Sequence, residues 1–376
     1  MLALYIHTPF CVRKCTYCGF YSTNYAGHSA DEYLLSLERE AAGLGRTLSD
    51  RVFSTVYIGG GTPVVFSLKQ LDVLLSLVSR FFRIEAGAER TVEANPNCVS
   101  TEKLALLRDR GITRLSLGVQ SLLDPMLSFL GRTHTATQAV EAFRLARNSG
   151  FDTIGIDLIY GIPGQTDGQW NDTLNRVVNL GPEHISAYNL SLDEGSLLKA
   201  EVEEGRVMMP DDDTVASQYE AARSLLRGAG YEQYEISNFC LPGQTCRHNK
   251  HYWQRGEYLG LGPGAWSFIQ GRRYRNIPDI REYCLRISRG LTTYVDEERP
   301  DDDQTANETV MLALRTTTGL NLEQYTRDYG ARRTRKLLER AESLRHSGLI
   351  EIVRGQLRLS DRAFPIANEL LVRLFS

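Results

Sequence analysis

Three thiols crowd into eight residues near the start of the chain, Cys11-Val-Arg-Lys-Cys15-Thr-Tyr-Cys18. Thiolates are soft ligands, and three this close can converge on one metal centre. A structural zinc ordinarily takes four protein ligands, and an ordinary iron–sulfur cluster takes four cysteines. Here no fourth cysteine follows until Cys98. A four-iron cluster held at this motif would leave one iron open to a small molecule. The chain has seven cysteines, an odd number with three clustered. That is a poor disulfide framework, and it suits a metal site in a reducing compartment.

Further residues have types that bind ligands. Gly59-Gly60-Gly61-Thr62-Pro63 is a glycine run that lets backbone approach a ligand where a Cβ would clash, although a plain turn fits it equally well. Glu93 and Gln120 fall at the ends of predicted strands, and Arg132 follows Gly131. Asp157 lies inside the apolar run Ile156–Tyr160, where a carboxylate needs a partner or a ligand. An ion pair with Arg132 is the structural alternative. A second dense segment is Cys246-Arg247-His248-Asn249-Lys250-His251-Tyr252-Trp253. Heme takes an axial imidazole or thiolate, a flat apolar surface and cations for its propionates. His248 or His251 offers the axial bond, Tyr252 and Trp253 the surface, and Arg247, Arg255, Arg272, Arg273 and Arg275 the cations. On chemistry alone, a surface turn anchored by Tyr252 and Trp253 is the stronger reading.

The CxxxCxxC spacing, with Tyr17 before the last cysteine, resembles the radical S-adenosylmethionine superfamily. The wider frame Tyr5-Ile-His7-Thr-Pro9-Phe10-Cys11 resembles one branch of it, which holds the oxygen-independent coproporphyrinogen III oxidases and the HemW-type heme chaperones. The resemblance covers essentially the whole chain. It implies a [4Fe–4S] cluster on Cys11, Cys15 and Cys18, with S-adenosylmethionine on the open iron. By the same resemblance, Tyr5, Gly60, Gly61, Thr62 and Glu93 hold that nucleotide. Tyr17, Gln120, Arg132 and Asp157 match further nucleotide-contacting positions. His-Asn-x-x-Tyr-Trp matches a motif associated with heme in the chaperone branch, which marks His248, His251, Tyr252 and Trp253 as heme contacts. Besides that motif, two features separate the branches. The oxidases carry another cysteine two positions after the third, where this chain has Phe20, and a long segment ahead of the motif strand, which here begins in the first residues. The resemblance therefore implies a heme chaperone that delivers heme to apo heme proteins, without coproporphyrinogen oxidase activity; the oxidase is the runner-up. Whether the nucleotide is cleaved in turnover stays open, as does pairing with a second copy of the chain.

The elements that must position these residues alternate. Strands are expected at Leu2–Pro9, Val52–Ile58, Arg90–Ala94, Arg114–Val119, Thr153–Tyr160 and His184–Leu192. Helices follow at Ala30–Arg46, Ser67–Phe82, Ser100–Arg110, Thr137–Asn148, Gly168–Leu180 and Thr214–Gly228. Six β-then-α units, at intervals of roughly 35 residues, argue an α/β fold with a parallel sheet covered by helices. The strands read as nearly continuous apolar runs, as burial on both faces requires. Periodicity admits an open doubly wound sheet or an incomplete barrel; the resemblance implies a partial (β/α)6 TIM-type barrel. The expected divisions are a core over 1–231, a barrel extension carrying the heme-type motif over 232–295, and a small module over 304–376. Asp296-Glu297-Glu298-Arg299-Pro300-Asp301-Asp302-Asp303 is the best linker between the last two. The module reads as helices followed by a hairpin around Arg354-Gly355, an α+β, winged-helix-like arrangement. Cys98 and Cys284 read as small buried apolar residues.

Composition narrows the class. The 376 residues are 42% hydrophobic and 24% charged, with a net charge of −3. That excludes a collagenous, disordered or small disulfide-rich protein. No excess of basic charge points to nucleic acid, and the run Arg332–Lys336 reads as a solvated helix face. No apolar run reaches the ~20 residues that span a bilayer, and the first residues lack the pattern of a signal peptide. A cytoplasmic location follows as the expectation, with peripheral membrane contact left open.

Overall fold

Leu2–Thr8 (β1) is apolar at most positions and buried almost throughout, as a strand covered on both faces must be. The computed structural model describes residues 2–375. Five more strands follow: Val52–Gly60 (β2), Arg83–Ala94 (β3), Arg114–Gln120 (β4), Thr153–Tyr160 (β5) and His184–Asn189 (β6). Each pairs in parallel with the one before it. The outer layer is Gly27–Thr47 (α1), Leu68–Phe81 (α2), Thr101–Asp109 (α3), Ala136–Asn148 (α4), Asp167–Leu180 (α5) and Asp212–Gly228 (α6). Three of these helices start with capping boxes, Ser67/Gln70, Thr135/Gln138 and Thr166/Gln169, which satisfy backbone N–H groups reciprocally.

Neighbours in space are neighbours in sequence through all six strands, with no reversal of order. That is barrel order rather than doubly wound order. The barrel is incomplete. Beyond β6, Glu232–Gln233 (β7) and Asn238–Cys240 (β8) continue the sheet antiparallel. Beyond β1, Tyr258–Leu261 (β9) pairs in parallel, followed by the antiparallel strands Trp266–Ile269 (β10), Arg272–Asn276 (β11) and Tyr294–Glu298 (β12). The twelve strands run β12-β11-β10-β9-β1-β2-β3-β4-β5-β6-β8-β7.

Buried Glu40 ties α1 to this extension. Its carboxylate accepts hydrogen bonds from Tyr283 Oη (2.7 Å), Asn276 Nδ2 (2.6 Å) and Gly262 N (2.8 Å). Two further helices belong to the extension, Arg247–Trp253 (α7) and Ile280–Ser288 (α8).

The acidic stretch expected as a linker is ordered structure. Asp296, Glu297 and Glu298 lie on β12 and pair with Arg275, Arg272 and Arg273 of β11. Asp301 caps the next helix, Asp302–Ala313 (α9), in a capping box with Gln304. Leu322–Tyr329 (α10) and Ala331–His346 (α11) precede the hairpin Ile350–Val353/Gln356–Leu359, whose turn holds Arg354 and Gly355 at φ 51° and 78°. Leu320–Asn321 adds a third strand, and Ala367–Phe375 (α12) ends the chain. Cys98 and Cys284 are only partly buried. Among the described residues no helix is long and apolar enough to cross a membrane.

Candidate functional site

A cavity of about 460 Å³ opens among the C-terminal ends of the barrel strands and reaches down to α7. Cys11, Cys15, Cys18, Tyr17, Gly60, Gly61, Thr62, Glu93, Gln120, Arg132 and Asp157 all line it. Parallel strands bring them together, because each strand delivers its C-terminal residues to the same face.

The cysteine loop is anchored by Thr16, which donates to Leu130 O (3.2 Å) from its backbone and to Phe129 O (3.1 Å) from its hydroxyl. Gly19 N donates to Asp193 Oδ2 (3.1 Å). Arg132 Nη1 lies 3.3 Å from Cys15 Sγ, and Thr62 Oγ1 lies 3.7 Å from Cys11 Sγ. Burial pushes the Cys18 thiol up to about 11 and raises Cys11 as well. A metal centre binding here must displace those protons. Among the described residues no three Cys, His, Asp or Glu side chains stand close enough to hold a single ion.

The glycine run is required by contact. A Cβ on Gly61 would fall 2.5 Å from Phe10 O, and one on Gly59 would fall 2.7 Å from the Glu93 carboxylate. Gly60 has φ 101°, where side chains are strained. Its N–H donates to Glu93 Oε2 (3.0 Å), and Tyr57 Oη donates to Glu93 Oε1 (2.7 Å). Burial pushes Glu93 up to about 7, with the Asp157 charge acting in the same direction.

Gln120 sits at φ 67° after a bulge that breaks the β4–β5 register between Gly118 and Gln120. A non-glycine residue held there at a cavity wall is the kind of strain found at ligand sites. Arg132 is committed to Cys15, Gly118 O (2.7 Å) and Asn95 Oδ1, and pairs with no carboxylate among the described residues. The alternative of an Asp157–Arg132 ion pair is therefore not realised. Asp157 instead accepts from Ser116 Oγ (3.0 Å), and burial raises it above the usual carboxylate range.

Two groups of expected residues are occupied differently. Tyr5 does not line the cavity. It stands beside Tyr57 across the β1–β2 pairing, with its hydroxyl 3.0 Å from His7 Nδ1. His248 is 1% exposed. Its Nδ1 lies 2.9 Å from Thr55 Oγ1 and its Nε2 lies 3.0 Å from Tyr252 Oη, while its ring stacks on Tyr57 at 5.1 Å. His251 Nε2 is bonded to Glu257 O (2.7 Å). Tyr252 packs edge-on between His248 and Tyr258, and Trp253 is half-buried. These contacts hold α7 to the barrel floor, with both ring nitrogens of His248 and Nε2 of His251 bonded within the protein. The expected propionate partners are also engaged: Arg255 with Glu308 (2.6 Å), and Arg272, Arg273 and Arg275 with the acidic strand. Arg247 donates to Gly87 O (2.9 Å).

Residues 5–177 match the family model of the radical SAM superfamily, and residues 301–366 match that of the HemN C-terminal domain. The heme chaperone HemW of Bacillus subtilis is 33% identical over 371 residues, 98% of each chain. That of Mycobacterium tuberculosis is 35% identical over 371 residues, 98% of this chain and 93% of its own. The chain belongs to the HemW family. The solved structure of the Escherichia coli coproporphyrinogen III oxidase HemN superposes with a TM-score of 0.87 at 23% identity, covering 99% of this chain and 89% of that one. At that identity, the likeness speaks for a shared fold.

In this HemW-family chain the cavity also has walls that sequence reasoning missed. Tyr57, Asn95, Arg114, Ser116, His184, Ser186 and Tyr188 line it, together with Cys246 and Asn249 of the dense segment. A signal was present. Arg114, Ser116, Gly118 and Gln120 alternate along β4, as do His184, Ser186 and Tyr188 along β6. Polar residues at every second position mark a face turned to a polar interior. Phe20, 64% exposed, sits at the cavity rim.

Proposed function

We propose that this chain is a heme chaperone that carries a [4Fe–4S] cluster on Cys11, Cys15 and Cys18, binds S-adenosylmethionine above it, and hands heme to apo heme proteins. The observation that carries the reading is the end-to-end similarity to HemW proteins, joined to a cavity where three thiols face the glycine run and Glu93. When bound, the cluster supplies an open iron for the amino-acid end of the nucleotide and an electron source beside its sulfonium. The protein's part is binding and orientation. Gly60 and Gly61 let backbone reach the ligand, and Thr62 stands beside Cys11. Glu93, fixed by Tyr57 and Gly60, offers an acceptor to the ligand's ammonium group. Arg132 holds Cys15 and the turn around Asn95, while Gln120 and Asp157 face the rest of the nucleotide. Phe20, where the oxidases carry cysteine, favours the chaperone over the decarboxylase.

The test is Glu93→Ala in the anaerobically reconstituted full chain. Iron content should stay at four per chain while nucleotide affinity falls about tenfold or more, the loss of a charge-assisted hydrogen bond. Unchanged nucleotide affinity, or an iron content that falls with Glu93, would overturn this placement.

A further inference from the structure

Below the proposed nucleotide site, the floor of the barrel carries a buried cation that makes no direct ion pair among the described residues. Arg114 is 3% exposed, and its guanidinium makes one hydrogen bond, from Nη1 to Gln244 O at 3.4 Å. Asp157 and Glu89 are the carboxylates whose charge it feels. Neither pairs with it among the described residues: Asp157 accepts from Ser116, and Glu89 from the backbone of Arg247 and His248. A guanidinium stays charged in any protein environment, and most of this one's donors are left without a protein acceptor.

A second orphan faces the same place. His184 is 2% exposed and its Nδ1 has no hydrogen-bond partner. Its Nε2 lies 2.8 Å from Tyr234 Oη, and that phenol has no other side-chain partner. With the phenol donating to Nε2, the ring hydrogen sits on Nδ1, where no protein group takes it. Both residues line the cavity.

Gly155 on β5 fixes where these groups meet. A Cβ added there would sit 3.5 Å from His184 Nδ1, 3.5 Å from Ser116 Oγ and 3.7 Å from Arg114 Nη2. One point at a glycine is thus ringed by a fixed cation, an imidazole and the Ser116 hydroxyl, which itself donates to Asp157. The glycine supplies the missing volume.

We infer that Arg114, His184 and Gly155 form a cradle for one carboxylate of a ligand that enters the barrel. Arg114 supplies the charge and a forked donor, His184 Nδ1–H the second hydrogen bond, and the bare glycine the space. This site is separate from the cluster and nucleotide residues, and it stands whether or not the proposed function holds. The carboxylate belongs to a small free acid or to the acid arm of a tetrapyrrole, and the experiment separates the two.

The test is thermal unfolding of the reconstituted full chain in acetate against chloride at equal ionic strength. The wild type, Arg114→Met and Gly155→Ala are compared. Binding to the folded state raises the midpoint as acetate rises, whereas acetate's general salting effect is common to all three proteins. Gly155→Ala keeps every polar partner and adds a methyl at ordinary contact distance, so it fills the cradle without requiring the fold to move. The wild type should show an acetate-specific rise, with apparent affinity reduced about tenfold or more in both variants. Mesoporphyrin abolishing that rise, with its dimethyl ester leaving it intact, assigns the carboxylate to a tetrapyrrole arm. Both leaving it intact assigns a small free acid. An equal acetate response in all three proteins, or none in the wild type, overturns the proposal.

Discussion

Replacing His248 by Ala separates a floor residue from a heme ligand. The side chain is fully buried. Its removal deletes the bonds to Thr55 Oγ1 and Tyr252 Oη and the stack on Tyr57. Each hydroxyl left buried without its partner costs about 1–3 kcal/mol. The lost ring contact adds about 0.5–1.5 kcal/mol, and the cavity left behind adds to both. Correcting for partial relaxation, a loss of about 3–5 kcal/mol is expected. Because Tyr57 also donates to Glu93, its loosening should carry to the upper cavity and weaken nucleotide binding. The assay is denaturant unfolding of the apo chain, with nucleotide binding measured after reconstitution. His248→Ala with wild-type stability and nucleotide affinity but an altered heme Soret band would refute the reasoning, since that is the pattern of an axial ligand.

Other perturbations read single contacts. Cys15→Ala leaves two thiolates, and the reconstituted variant should lose the broad ~400 nm absorbance of a thiolate-bound cluster; a full complement of four irons would contradict the assignment. Gly59→Ala places a methyl 2.7 Å from the Glu93 carboxylate, so nucleotide binding should fall while the cluster's iron stays constant. Glu93 is raised from 4.5 to about 7 in the folded chain, so between those values the folded state holds a proton that the unfolded state has lost. Its contribution therefore makes stability fall as pH rises from about 4.5 to 7. Buried His248, lowered to about 3, acts oppositely below 6.5. The readout is accordingly the difference between wild type and Glu93→Gln, which should shrink towards low pH across that window. A constant difference would show that Glu93 titrates normally.

The barrel was legible because its strands and helices obey simple periods. The spacing gives Thr153–Tyr160 its observed bounds and locates five other strands with shifted ends. Register explains why the cysteine loop, the glycine run, Glu93, Gln120 and Asp157 meet: parallel neighbours share one C-terminal face. Residues 232–298 were harder to read. Their strands are two to five residues long, too short for period alone, and they add to both edges of a sheet already formed. The acidic stretch misled because charge and proline mark linkers, whereas here the carboxylates pair with a neighbouring row of arginines. His248 is ambiguous in sequence for a related reason. A dense His-Tyr-Trp segment has the composition of a heme site and equally that of a hydrogen-bonded plug. In the fold, the segment's contacts run to Thr55, Tyr57 and Glu89, which no sequence period announces.

The central claim is tested most directly by giving the reconstituted full chain, with S-adenosylmethionine and reductant, heme and coproporphyrinogen in separate anaerobic reactions. The account predicts a stable heme complex with a defined Soret band and no protoporphyrinogen. Sustained decarboxylation of coproporphyrinogen, or a chain that binds no heme when its cluster and nucleotide are in place, would contradict it.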